Sequence, residues 1–194
     1  MYHADDIIDV YYEGNQPFFK WRGGVLEPVV LDTNEFFVSD MYAKLRFVDR
    51  KATGQYYLSI IPKDNPDSIR YDYLKVDSDY KTPSMHLKAG NYLEAQAGFL
   101  AIQSQDSLSP LINEREFNRM GYGFLRDQNY EDAIGIFKIN VALYPDSDNV
   151  YDSLADAYLR SGDSAKAYVH YSKAYDLNPQ NKRAKEYMDA YAMQ

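Results

Sequence analysis

The feature that most constrains this chain is a self-similarity at a fixed offset of 34 residues. With residues 114–147 laid over 148–181, Phe117 falls on Tyr151, Met120 on Leu154, Gly121 on Ala155, Phe124 on Tyr158, Ala133 on Ala167, Phe137 on Tyr171 and Pro145 on Pro179. Large rings, small residues and a closing proline coincide in both order and spacing. A unit repeating at such a period cannot bury its apolar face alone and must stack on its neighbour. Small residues at Gly121/Ala155 and Ala133/Ala167 let two helices cross closely, and the rings at Phe124/Tyr158 and Phe137/Tyr171 fill the space around that crossing. Proline ends the second helix, because it lacks a donor and disfavours helix in the residue before it. Asp127-Gln128-Asn129 and Gly162-Asp163-Ser164 provide the turns inside the units, and Asp146-Ser147-Asp148-Asn149 offers cap oxygens to a helix beginning near Val150.

This pattern resembles the tetratricopeptide (TPR) family over residues 114–181. A partial unit over 80–110 precedes it, where Gly90-Asn91-Tyr92-Leu93-Glu94-Ala95 and Phe99 echo Gln128-Asn129-Tyr130-Glu131-Asp132-Ala133 and Phe137. A capping helix over 182–193 follows, with Ala184, Met188 and Tyr191 on one face and Lys182, Arg183, Lys185 and Glu186 on the polar one. The resemblance implies an α-α superhelix whose first helices line a concave groove. Asn118, Arg119, Tyr122, Asp152, Asp156 and Arg160 are then the groove residues for a protein or peptide partner. TPR proteins that clamp a peptide carboxylate carry a Lys-and-Asn pair on the first of these helices. This chain has Asn118 and Tyr122 there and acids on the next, so it departs from that pattern. The alternative is a groove that is solvated or covered by another part of the same polypeptide.

Ahead of residue 78 the period is two. Ala43, Leu45 and Phe47 alternate with Lys44 and Arg46, Tyr56, Leu58 and Ile60 share a face, and Ile69, Tyr71 and Tyr73 alternate with Arg70 and Asp72. Each stretch reads as a half-buried strand. With 7–12, 18–22, 25–31 and 35–38 they make about seven short strands separated by Gly-, Asn- and Asp-rich turns, the mark of an antiparallel meander that closes into a small barrel or curved sheet. The expected fold is therefore α+β in two segregated domains. Residues 1–77 form an antiparallel β domain, barrel-like or lipocalin-like, and 78–194 form the TPR-like array. In a lipocalin-like barrel, Phe18, Phe19, Trp21, Phe37, Tyr57 and Tyr73 would line a small-molecule pocket.

Composition removes several functions. Twenty-nine acids against 21 bases, a net charge of -8, argue against nucleic acid as the main partner. No apolar run approaches the roughly 20 residues of a membrane span. The first ten residues lack the basic start of a signal peptide. With no cysteine there is no thiol nucleophile and no zinc–cysteine site. His3, His86 and His170 have no metal-ligand spacing, and no cofactor motif occurs. Ser78-Asp79-Tyr80-Lys81, Lys88-Ala89-Gly90 and Ser147-Asp148-Asn149 match fragments of β-lactamase motifs, but in the wrong order and on a strand–helix boundary, a helix end and a helix cap. The reading is a non-enzyme, with no catalytic, metal or cofactor residues; residual serine hydrolase activity dependent on Ser78 is a further alternative, which turnover of an ester or β-lactam lost in Ser78→Ala would support.

Residues 118–122 (Asn-Arg-Met-Gly-Tyr), 137–147 (Phe-Lys-Ile-Asn-Val-Ala-Leu-Tyr-Pro-Asp-Ser) and 149–154 (Asn-Val-Tyr-Asp-Ser-Leu) also resemble the TPR tail of exported bacterial β-lactamase-related serine hydrolases. In that family a small β-rich domain often lies between enzyme and tail, and the strands containing Phe36-Phe37-Val38 and Leu45-Arg46-Phe47 are compatible with it. The resemblance implies a bacterial, serine hydrolase-associated accessory portion in the periplasm or beyond, with a catalytic domain of the same polypeptide as one candidate partner.

Overall fold

The computed structural model describes residues 2–193, and within them nine strands precede seven helices. The chain divides after Thr82 into two compact units. The first holds β1 (Tyr2–His3), β2 (Asp6–Glu13), β3 (Gln16–Trp21), β4 (Gly24–Leu26), β5 (Val29–Asp32), β6 (Glu35–Val38), β7 (Ala43–Arg50), β8 (Gln55–Ile61) and β9 (Tyr73–Leu74). They form one sheet in the order β4-β3-β2-β1-β9-β8-β7-β6-β5, antiparallel at every step. Glu13 pairs with Gln16 across a two-residue turn, and Gly14 takes the left-handed φ of 61° that such a turn demands.

The closed barrel expected from the strand spacing does not form. β4 and β5 are the two edges of the sheet, and no ladder joins them among the described residues. The single strand expected over 25–31 is split at Glu27-Pro28, where proline has no N–H to give to a ladder. The sheet instead curls until its two halves face each other. The Phe19 ring of β3 meets that of Phe36 of β6 at 5.7 Å, and Phe36 meets Phe47 of β7 at 5.3 Å, both edge-on. Ile8, Phe19, Phe36, Val38, Leu45, Leu58 and Tyr73 fill the space between.

The strand expected over 69–73 also shrinks, to the pair Tyr73–Leu74. Side chains there take over bonds that a ladder would have made. Asp72 Oδ2 accepts from the Ile60 amide at 2.7 Å, and Ser59 Oγ accepts from the Arg70 amide at 3.2 Å. Ile69 and Tyr71 stay exposed while Tyr73 joins the core, so the apolar alternation of this stretch marks a buried face only at its last residue.

The second unit holds α1 (Pro83–Lys88), α2 (Tyr92–Gln105), α3 (Glu114–Arg126), α4 (Tyr130–Leu143), α5 (Asp148–Arg160), α6 (Ser164–Leu177) and α7 (Lys182–Tyr191). The pairs α3/α4 and α5/α6 are TPR-like: 13 residues followed by 14 in each. Their crossing is as close as the small residues suggest. A Cβ on Gly121 would stand 2.5 Å from the Phe137 ring, and one on Gly135 would run into Tyr92 of α2. Ala133, Ala155 and Ala167 are fully buried, as are Phe137 and Tyr171.

The turns repeat as well. Gly90, Gln128 and Gly162 occupy equivalent places after α1, α3 and α5, and all three have positive φ, at 75°, 58° and 90°. Asn113, Ser147 and Asn181 precede α3, α5 and α7. Asn113 and Asn181 accept from the amides of Glu116 and Ala184, each at 3.1 Å. Ser147 departs from the expected cap. Its hydroxyl donates instead to Glu114 Oε1 at 3.1 Å, and Asn149 Nδ2 reaches the same oxygen at 2.9 Å. Asp148, one period after Glu114, likewise accepts from Asn178 and Asn181 at 3.1 and 3.2 Å. Each unit is thus pinned to the following turn by one acid.

Two measurements check this account. Ala133→Leu should lower stability by about 1–3 kcal/mol through overpacking, seen as an earlier urea midpoint. Gln128→Gly should raise it by about 0.5–1 kcal/mol, because glycine takes the left-handed turn without Cβ strain. A midpoint shift of the opposite sign would contradict that turn geometry.

Candidate functional site

Of the six residues expected to line a groove, four come together and two do not. Tyr122, Asp152, Asp156 and Arg160 come together on α3 and α5. Arg119 instead pairs with Glu116 one turn earlier at 2.7 Å, and Asn118 keeps a buried side-chain oxygen without a hydrogen-bond partner.

The cluster has a centre that sequence reasoning missed. Arg183, the second residue of α7, lies over Asp152, Asp156 and Tyr122. Its Nε donates to Asp152 Oδ1 at 3.1 Å, its Nη2 to Asp152 Oδ2, and Nη2 also to the Tyr122 hydroxyl at 3.2 Å. Nη1 stands 3.6 Å from Asp156 Oδ2. Arg160 Nε bonds the other Asp156 oxygen at 3.0 Å, and this hydrogen bond and charge raise the Arg160 pKa. Asp152 and Asp156 are 7% and 6% exposed. The signal was present in the sequence: acids at an i, i+4 spacing on one helix, and a base at the second position of the next first-type helix.

Two buried carboxylates are tolerable because two guanidiniums face them; one left unpaired would carry a full desolvation penalty. Beneath them Tyr171 is fully buried, and burial, then the Asp156 charge, drive its phenol pKa upward so that it stays neutral.

The remaining candidates sit in unrelated surroundings. The His3 side chain lies outside the described residues. His86 of α1 has a buried Nδ1 without a hydrogen-bond partner. His170 of α6 stacks on Tyr158 at 5.4 Å and on Tyr151 at 6.3 Å. Burial, and secondarily the charge of Lys138, depress its pKa. Ser147 is engaged with Glu114, and Lys88-Ala89-Gly90 closes α1 and its turn. Among the described residues no group of three or more His, Asp or Glu is placed to hold a metal ion, and no helix is long and apolar enough to cross a membrane.

Surface cavities lie in both units. A cavity of about 620 Å³ in the strand unit is lined by residues including Ile7, Val10, Phe47, Tyr56, Lys75 and Ser78. None of the six aromatics expected to line a lipocalin-like pocket borders it; Phe19 and Tyr73 are core, and Tyr57 is buried with its ring edge-on to Tyr71 at 5.0 Å. The helical unit has one of about 570 Å³, where Leu87, Tyr92, Met120, Phe124 and Ile136 meet and the Tyr92 hydroxyl donates to Asp132 at 2.6 Å.

No family model matches the chain, and no curated protein matches it. Solved structures similar to it include the first TPR of Spaghetti (RPAP3) bound to an HSP90 peptide, 18% identical over 57% of this chain and 85% of that one, with a TM-score of 0.40. The Yersinia enterocolitica type III secretion chaperone SycD, in complex with a peptide of the translocator YopD, is 18% identical over 57% of this chain and 87% of that one, with a TM-score of 0.39. A MamA chain is 21% identical, with a TM-score of 0.34; the match covers 50% of this chain and 54% of that one.

The His170 environment yields a pH dependence. Its folded pKa lies below the ordinary 6.5, so below that pH the unfolded chain binds a proton that the folded chain resists. Stability should therefore be fully present above pH 6.5 and decline as pH falls. His170→Phe should flatten the urea midpoint between about pH 7 and 5.5 relative to the parent; an identical slope would remove His170 as the cause.

Proposed function

We propose that this chain is a non-catalytic interaction module that binds a protein or peptide segment on the face formed by the first helices of its repeats, α3, α5 and α7. One observation carries the reading: Tyr122, Asp152, Asp156 and Arg160, drawn from two successive repeats, converge on a single polar cluster on that face. Packing alone does not call for it. The seam between repeats is closed by Gly121, Ala155, Phe137 and Tyr171, whereas two acids sequestered from water add little net stability even when paired, so recognition or register is the role they are suited to. In its fuller form the proposal makes the chain the accessory C-terminal part of an exported bacterial serine hydrolase, on the sequence resemblance of 118–122, 137–147 and 149–154.

A second reading is small-molecule binding by the strand unit. The cavity of about 620 Å³ favours it, since its walls combine apolar Ile7, Val10 and Phe47 with polar Lys75 and Ser78. That site would differ from the barrel lumen expected at first.

Selection of displayed random peptides against the purified chain tests the main reading. The enriched peptides should compete with one another and lose about tenfold in affinity or more on Tyr122→Ala. Failure to enrich any peptide, or peptides indifferent to Tyr122→Ala and Arg160→Ala, would reject this face.

A further inference from the structure

The contacts of Arg183 say which partner chemistry the face accepts. Two guanidinium nitrogens are hydrogen-bonded, Nε and Nη2 to the two oxygens of Asp152 and Nη2 also to the Tyr122 hydroxyl, and Nη1 stands in an ion pair with Asp156 Oδ2 at 3.6 Å. A planar fork of donors suits such a site, and a lysine ammonium, a compact point charge, does not reproduce it. The cluster is also not saturated. The Asp156 side chain is 8% exposed, and its Oδ2 has no hydrogen-bond partner although it faces the guanidinium.

The Arg183 side chain is more open to solvent than the contacts that dock its helix. Its side chain is 47% exposed. Helix α7 is secured by other means: Ala184 is fully buried, Asn181 caps the first turn, and the Tyr187 ring packs on Tyr171 at 4.8 Å. The docking of α7 thus rests on contacts that do not involve the Arg183 side chain.

We propose that Arg183 is a built-in stand-in for a ligand: the Tyr122/Asp152/Asp156 cluster is an arginine-recognition site, and a partner segment engages it by inserting an arginine that displaces Arg183. The inference rests on the interaction-module reading and deepens it by naming the partner side chain. The competition makes the free protein self-occluded. Its apparent affinity for a partner is reduced by the fraction of molecules in which Arg183 occupies the site.

The experiment uses the full chain with Arg183→Ala, the double variant Arg183→Ala/Asp152→Asn, and Arg183→Lys. Methylguanidinium and the peptide acetyl-Gly-Arg-Gly-amide are the probes, with methylammonium and the Lys peptide as controls. Arg183→Ala should melt earlier than the parent and recover part of the loss in millimolar methylguanidinium, since a ligand of the folded state alone stabilises it. Methylammonium should restore less, and the double variant should not respond. The Arg peptide should bind Arg183→Ala about tenfold more tightly than the parent, and Arg183→Lys between the two. An Arg183→Ala melt that methylguanidinium moves no more than it moves the double variant would overturn the proposal, as would equal binding of Arg and Lys peptides. Selected peptides that need Tyr122 but show no arginine preference would sink this inference and leave the interaction module standing. Absence of any peptide binding would remove both. Should Arg183→Ala fail to fold, Arg183→Lys carries the same comparison.

Discussion

The close crossing of paired helices, with Gly121 lying against the Phe137 ring, is the constraint on which the helical unit depends. Burying a phenylalanine-sized side chain contributes roughly 1.5–3 kcal/mol, and Phe137 and Tyr171 both lie at this seam in full burial. They can do so only because Gly121, Ala133, Ala155 and Ala167 take up almost no room. Once the crossing is fixed, the turn after the first helix has little freedom, and Gly90, Gln128 and Gly162 all adopt left-handed backbone there. The spacing of successive first helices is fixed with it. That spacing brings Tyr122, Asp152 and Arg183, from three different helices, within hydrogen-bond reach. Packing positions set the frame, and polar positions between them decide what the frame presents.

The polar staples between units follow the same period. Glu114 and Asp148 stand 34 residues apart, and each receives two donors from the junction with the next repeat, Ser147 and Asn149 at the start of α5 in one case and Asn178 and Asn181 ahead of α7 in the other. A repeated hydrogen-bond pair of this kind is directional where apolar burial is not, so it fixes the rotation of one unit on the next. Asn140 adds a polar link inside the first pair, donating to the Glu114 carbonyl at 3.0 Å.

How far the sequence could be read depended on which forces carried the information. The helical repeats were legible because every packing residue recurs at a fixed interval, so random coincidence had to fail many times at once. Two features of the repeat region still escaped. Ser147 looks like a helix cap but finds a stronger partner in the Glu114 carboxylate, a contact that depends on how two units stack. Arg183 sits in an ordinary charged stretch, and only the positions of α3 and α5 reveal what it faces. In the strand unit the period of two located most strands, while closure was not encoded locally. It turned on Pro28 breaking one strand and on the Phe19–Phe36 contact between strands far apart in the sheet. Tyr57 and Tyr73 were eligible for a lumen by residue type alone, and the curled sheet buries them instead.

The energetics of the acidic cluster limit what the first-helix face can become. Asp152 and Asp156 are both nearly buried, and between them they are served by Arg160 and Arg183. Arg160 sits one turn from Asp156 on the same helix and serves that carboxylate alone. Arg183 arrives from another helix and provides the cationic contact to Asp152. Removing it without replacement would strand a carboxylate in a poorly solvated place, which is far more costly than losing an exposed pair. A partner that displaced Arg183 with an acid or an apolar group would leave that carboxylate unpaired, whereas a guanidinium would exchange one satisfied state for another. Under the proposed displacement of Arg183, selectivity would arise less from attraction to a partner than from the penalty attached to every alternative.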